Sequence, residues 1–496
     1  MGQIFFEAPE SLRPHVPLWD TAYLYGIEGI PGAGKASWES DLLTIEREIQ
    51  ESGKLSIPWT VDQIGQRVLT SCSLRPSETP YFLPLELARG CCSNVRTQAD
   101  IWQRSGMKLP ENYEELINQS ISRFLDAAQS MPSHDDCVRL SNESIRLAEQ
   151  ASDALVDSYA AQALSYRKNA ENELGTLSAA YVAPPGPIDS ANEQAYLDAF
   201  NTIAIRTNWT TLETDMGKME FDRFDPMFDW AQNKGLRVCA GPLIDFQSKQ
   251  MPHWVYLFED DFEGLLDAVT RMVEQTVKRY RGKVQLWHAT AGLNTKGPLE
   301  LGEEKVMRLA VGVIQEIRRH DNRTPILISV DQPWGEYLST QPDGISPLHF
   351  VDALVRSNLG IAGIGLELRM NYWPGGTLPR SILEVSQQVD RWALLGLPLL
   401  AQISIPASAE SDASAARTSI PVPIGINGES DQSHQLAYAA RLTRALLAKQ
   451  MVHGIFWESW EDTQTHAMPA AGLIDATGRP RPLLEELANL RKEYLF

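Results

Sequence analysis

Hydrophobic positions change their period twice along this 496-residue chain. Up to about residue 90 they come in short runs, GQIFF, TAYLYGI, KLSIPWTV, QRVLTS and PYFLPLEL, broken by Gly and Pro. Runs of that length between turn residues predict strands, and hence a small β domain over residues 1–90. From Arg96 to about Asn172 the spacing becomes helical, in Leu116, Ile117, Ile121, Phe124 and Leu125, then in Val138, Leu140, Ile145, Leu147 and Ala148. Two long helices broken at MPSHDD are expected, a helical hairpin occupying residues 91–174.

After Gly175 apolar strands alternate with amphipathic helices, the pattern of a parallel α/β architecture. The strand candidates are TLSAAYV, FNTIAIRTNW, GLRVCAGPLI, KVQLWHATAG, TPILISVDQ, GIGLELRMN, LPLLAQISI and HGIFWESW. Helical patterns such as FEGLLDAVTRMVEQTVKRY separate them, and PLLEELANLRKEYL follows the last. Eight such units predict that residues 175–496 close into a (β/α)8 TIM barrel. The competing open, doubly wound sheet lacks a glycine fingerprint at its first turn.

Charge narrows the partners. Lys+Arg 44 against Asp+Glu 64 gives a net charge of -20, which repels nucleic acid and anionic lipid, and no basic cluster offsets it. No apolar run is long enough for a membrane helix, and the start, MGQIFFEAPESLRP, has no leader pattern. Cys72, Cys91, Cys92, Cys137 and Cys239 show no metal-ligand spacing, so reduced thiols and a cytoplasmic location are expected, with no cofactor or metal. The run from Gly29 to Lys35, GIPGAGK, comes close to a phosphate-binding loop. However, Ala36 stands where a hydroxyl should meet Mg²⁺, so a Gly/Pro turn between strands is the stronger reading. Nucleotide binding there stays a minor alternative that requires ASWESDLLTIEREI to be a helix.

A barrel of this kind gathers its chemistry where the strands end. Those positions carry Arg206 and Trp209, Asp245, His288 and Asn294, Asp331 and Trp334, Glu367, Arg369 and Asn371, Gln402, and Trp457, Glu458, Trp460, Glu461 and Asp462. Carboxylates among Trp, Arg and Asn suit a sugar or other polyol, because pyranose faces stack on aromatics and hydroxyls need planar polar partners. Bland readings compete. Glu367 and Arg369 share a strand face and form either an internal ion pair or an acid with its clamp. Asp245 and Asp331 are equally suited to capping, His288 to a core role, one of Trp457 and Trp460 to packing, and Glu461-Asp462 to a solvated loop.

From Gly175 to Pro482 these residues resemble glycoside hydrolase family 10, the endo-β-1,4-xylanases. FNTIAIRTNW with FDPMFDWAQNKGLRVCAG is similar to the family's second strand, helix and third strand. QMPHWV resembles its Pro-x-Trp loop, RYRGKVQLW its entry into the fourth strand, GIGLELR its sixth strand, and FWESWED with GLIDATGRPRP its ending. The resemblance implies an acid/base Glu after the fourth strand and a nucleophilic Glu on the seventh. The matching positions here are Gly292 and Gln402. The sugar-binding Glu-Asn and Lys-Trp of the second strand fall on Arg206, Thr207, Thr210 and Thr211, the third-strand His on Pro242, and the sixth-strand Gln and His on Glu367 and Arg369.

Retaining hydrolysis needs one protonated and one ionised carboxyl about 5–5.5 Å apart. A glycine and an amide supply neither. The expectation is therefore a xylanase-like barrel that binds glycan or acts as a scaffold. The alternative is a hydrolase of altered mechanism using relocated carboxylates, Glu367 with Asp245 or Glu458, and with Arg206, Trp209, Asn294, Asp331, Arg369, Asn371, Gln402, Trp457 and Trp460 as substrate contacts.

Overall fold

The computed structural model describes residues 2–131, 133–171, 173–247, 249–425 and 431–495. Eight parallel strands form the barrel, numbered here β1 (Leu177–Val182), β2 (Thr202–Ile205), β3 (Arg237–Ala240), β4 (Leu286–Ala291), β5 (Ile326–Asp331), β6 (Gly363–Arg369), β7 (Leu399–Ser404) and β8 (Val452–Trp457). Pairing runs β3-β2-β1-β8-β7-β6-β5-β4. The ring closes where Cys239 and Ala240 of β3 meet Leu286 and Trp287 of β4. All eight expected strands are present, and the expected closed α/β barrel is the observed one.

Alternation along each strand divides the side chains between two cores. Outward residues such as Ile203, Val238, Ile328 and Leu366 pack beneath the surrounding helices. Inward residues Ala179, Tyr181, Ala204, Cys239, Leu327, Leu400 and Phe456 fill the lumen. Above that apolar filling the inward positions turn polar, at His288, Ser329, Asp331, Glu367, Arg369, Gln402 and Ser404, all buried. Side-chain caps fix where several barrel helices begin: Asp261 accepts from Gly264 N–H and Ser381 from Glu384 N–H, each filling an otherwise unpaired donor.

Ahead of the barrel lie a four-stranded sheet (34–39, 42–47, 2–7 and 81–82) and a three-stranded one (23–25, 54–61 and 65–70). Three helices follow, α1 (Leu83–Arg104), α2 (Tyr113–Gln129) and α3 (His134–Glu171). The break at MPSHDD falls as expected, with Pro132 outside the described residues. PYFLPLEL yields only a two-residue strand before α1, so the structure has three helices where the spacing predicts two. Small residues let these helices approach closely: the Ser120 and Ser144 hydroxyls each donate to the other's backbone carbonyl at 2.7 and 2.8 Å.

The nucleotide reading of Gly29–Lys35 is overturned. Lys35 lies in the strand Gly34–Glu39, and the following strand Leu42–Arg47 pairs back on it antiparallel. No helix N-terminus follows the glycines, so the dipole and the ordered N–H groups that hold a phosphate are missing there.

Among the described residues no helix is long and apolar enough to cross a membrane.

Candidate functional site

The loops beyond the strand ends determine what the barrel mouth can do. Asp331 on β5, Glu367 and Arg369 on β6, and Glu458 just after β8 converge on one another. Arg369, 2% exposed, sits among the three acids. Its Nε and Nη2 donate to Glu458 at 2.9 and 2.6 Å, a bidentate fork. Its Nη1 lies 2.7 Å from Asp331 and also pairs with Glu367, as ion contacts rather than aligned hydrogen bonds. Ser404 on β7 donates to Glu458 at 2.6 Å, and Ser329 on β5 donates to Glu367 at 2.6 Å.

A second chain of bonds runs beneath. The Tyr181 hydroxyl and Ser329 Oγ lie 2.9 Å from His288 Nδ1 and Nε2 respectively. Burial holds the His288 imidazole down at about 3, so the ring is neutral, with one donor and one acceptor nitrogen. Because Ser329 donates to Glu367, its oxygen accepts from Nε2–H, and Nδ1 accepts from Tyr181. His288 is thereby a spacer in a hydrogen-bonded column.

Environment separates the four carboxylates. Burial pushes Glu367 up to about 7 against the pull of Arg369. Asp245 is also raised, chiefly by burial. Burial raises Asp331 and Glu458 as well, but the arginines outweigh it and hold both below the ordinary range. An acid that keeps its proton near neutrality beside one that does not is the division of labour that glycoside cleavage uses. Access is what is missing. Glu367 is 0% exposed, and the cavity that reaches Glu458 holds only about 20 Å³.

The mouth is filled by the segments after β7 and β8. Arg417, from the β7 segment, bonds Asp331 at 2.8 Å. The two segments are stitched together where Ala416 and Arg417 N–H donate to the carbonyls of His466 and Ala467. His466 Nε2 lies 2.8 Å from Asp412. The far side of the β7 segment is pinned by the N-terminal sheets, where Val68 packs with Leu378 and Val422. Gly65 (φ +100°) lets the 61–65 turn lie directly against the Ile424 carbonyl, a space any Cβ would fill.

Most of the remaining expected site residues are buried as well. Asp245 lies next to the position after β4, since a Cβ on Gly292 would come 3.4 Å from its Oδ1 and 2.9 Å from Gln247 Nε2. Gln402 points into the lumen beside Ser329 and Gly365, and its buried Nε2 has no hydrogen-bond partner. Asn294 ties Asp331 in place through that residue's own N–H and carbonyl, at 3.0 and 2.8 Å. Asn371 is buried with both side-chain polar atoms unpartnered. Trp209, Trp457 and Trp460 are all buried and pack against protein; the Trp209 N–H donates to Glu213 at 2.7 Å. The eighth loop folds inward rather than into solvent: Asp462 accepts from Arg481 at 2.7 Å and from Gly472 N–H at 2.7 Å.

Three cavities among the described residues are large enough for a ligand. One of about 470 Å³ opens beside the mouth, between Arg206, Lys249 and His466. A second, of about 490 Å³, lies between the N-terminal sheets and the segment after β5, with Glu28, Arg47 and His349 among its walls. The third, about 980 Å³, lies at the opposite end of the barrel, between Trp102 and Tyr159 of the helices and Lys449 ahead of β8. It touches none of the four carboxylates.

A closed parallel ring of eight strands, with polar side chains gathered at their carboxyl ends, defines a (β/α)8 barrel protein with its candidate site at the mouth. Residues 168–291, from the end of α3 to the last residue of β4, match the model of glycosyl hydrolase family 10. The resemblance read from the sequence thus coincides with the family's own pattern over this stretch. Among solved structures the chain is similar to xylanase 10B from Thermotoga petrophila RKU-1 in complex with xylobiose, at 15% identity over 66% of this chain and 97% of that one, with a TM-score of 0.47. It is similar also to native xylanase 10B from Thermotoga maritima, at 14% identity over 67% and 97%, with a TM-score of 0.47. No curated protein matches the chain. The fold assignment rests on the strand pairing described above.

Proposed function

We propose that this chain is a xylanase-like barrel that has given up retaining hydrolysis and acts by binding glycan or as a scaffold. One observation carries the reading: the four candidate carboxylates Asp245, Asp331, Glu367 and Glu458 are buried, and three of the four are held by Arg369. Gly292 and Gln402, where the resemblance implies an acid and a nucleophile, have no carboxyl to offer. A nucleophile must reach an anomeric carbon, and Glu458 spends its oxygens on Arg369 and Ser404.

The altered-mechanism reading has one feature in its favour, the proton that Glu367 keeps up to about pH 7. Its test is hydrolysis of aryl xylosides and xylo-oligosaccharides by the intact chain. We expect none. Turnover that disappears in Glu367→Gln would replace the binding reading with the enzymatic one.

A further inference from the structure

The cavity of about 470 Å³ beside the mouth reverses the charge balance of the molecule. The chain has 64 acidic against 44 basic residues, yet the described residues lining this cavity include Arg206, Arg223, Lys249 and His466 and no carboxylate. The remaining described walls mix amides and hydroxyls, among them Thr210 and Gln464, with the small apolar residues Pro184, Pro185 and Ala467, and offer no Trp, Tyr or Phe ring to stack on a neutral pyranose. The two guanidinium groups and the ammonium are weakly neutralised among the described residues. The carboxylate oxygens paired with Arg206 and Arg223 stand 3.9 Å away, and Lys249 donates to the Ala415 carbonyl, at 3.3 Å. The His466 ring is engaged by Asp412. Arg206 is held rigidly: it donates to the Glu458 carbonyl at 3.0 Å and lies 4.9 Å over the Tyr181 ring.

A walled space of this size suits one or two sugar units. Fixed guanidinium forks pair best with carboxylate or phosphate, while hydroxyls and amides pair with polyols. We propose that this cavity binds a sugar acid, a polyhydroxylated ligand bearing a carboxylate, with Arg206, Arg223 and Lys249 meeting the anionic end. The proposal rests on the glycan-binding reading above and names the ligand class for it.

The test is calorimetric titration of the full chain with digalacturonate, xylobiose and glucose 6-phosphate. Digalacturonate is expected to bind at least tenfold more tightly than xylobiose, with an affinity that falls as NaCl rises. Arg223→Met and Lys249→Met should each weaken it about five- to tenfold without lowering the melting temperature, since both side chains reach solvent. Xylobiose binding as tightly as the acid, an Arg223→Met/Lys249→Met double variant with undiminished affinity, or no binding of digalacturonate up to millimolar concentration would each overturn the proposal. A response to glucose 6-phosphate alone would replace carboxylate with phosphate and overturn it as well. None of these outcomes touches the loss of hydrolysis, which only turnover of a glycoside would refute.

Discussion

Arg369 at the barrel mouth has a counterpart in Arg380 at the seam between the barrel and the N-terminal sheets. Both are 2% exposed and both serve several acceptors. Arg380 pairs with Glu336 and Glu384, donates to the Tyr23 hydroxyl at 2.8 Å and lies 4.8 Å over the Trp334 ring. Its work is to join two layers that must stay dry and fixed. Arg369 does the same among Asp331, Glu367 and Glu458, where an active barrel would need an unpaired acid and room for water. The mouth is built like the seam, and the difference is one of load: Arg369 holds three carboxylates and Arg380 two. Buried charge pairs of this kind add little net stability when complete but are costly to break, because the remaining charge has no solvent.

That comparison can be broken in order of effect. Arg369→Met removes the cation that three buried carboxylates share and is expected to cost about 3–5 kcal/mol, read by denaturant unfolding. A loss below 1 kcal/mol would mean the mouth is solvated and the likeness to the seam is false. Arg380→Met strands two, with an expected cost of about 3 kcal/mol. Hydrogen exchange should then quicken first in strands 23–25 and 54–61, whereas uniform quickening across the barrel would show that the seam is not a local joint. Arg417→Met removes one partner from Asp331 at the edge of the mouth and should cost about 1–2 kcal/mol.

Smallest per step is the response to pH. Glu367 holds its proton more tightly folded than unfolded, so its contribution is present below its ordinary 4.5 and is lost as pH rises through about 7. His288 runs the other way: burial depresses it, so its contribution is present above 6.5 and is lost as pH falls toward about 3. Between about pH 4.5 and 6.5 these two slopes, each up to about 1.4 kcal/mol per pH unit, oppose one another. Glu367→Gln removes one of them, so the variant's stability should change with pH more positively than the wild type's across that window, by up to about 1.4 kcal/mol per pH unit. A profile parallel to the wild type's would show that Glu367 titrates at its ordinary value.

The barrel was legible because its strands are long apolar runs separated by helices with clear periods. Glu367, Arg369, Asp331 and Glu458 were legible as strand-end polar residues on a predicted inner face. Ser329 and Ser404 carry the same signal, two residues from Asp331 and Gln402 on one strand face, and a stricter use of the two-residue period finds them. Arg417 had no such signal. It lies in a long segment after β7 whose return across the mouth depends on Ala416, His466 and the N-terminal hairpin, contacts between residues far apart in sequence. The two-helix reading failed at PYFLPLEL, where Pro84 near a helix start looks like a turn residue unless the following apolar spacing is weighed.

The helix α3 is 38 residues long, about 57 Å of rod. Ile145 and Ala148 near its beginning are keyed into the packing of the N-terminal sheets, while Leu155, Val156, Ala160 and Leu164 further on are keyed into that of the barrel. Trimming the chain to roughly its last two-thirds would strip away this strut and leave a greasy flank bare. A recombinant barrel cut at residue 174 should therefore clump, and a tug on the front sheets would travel down a single rigid beam.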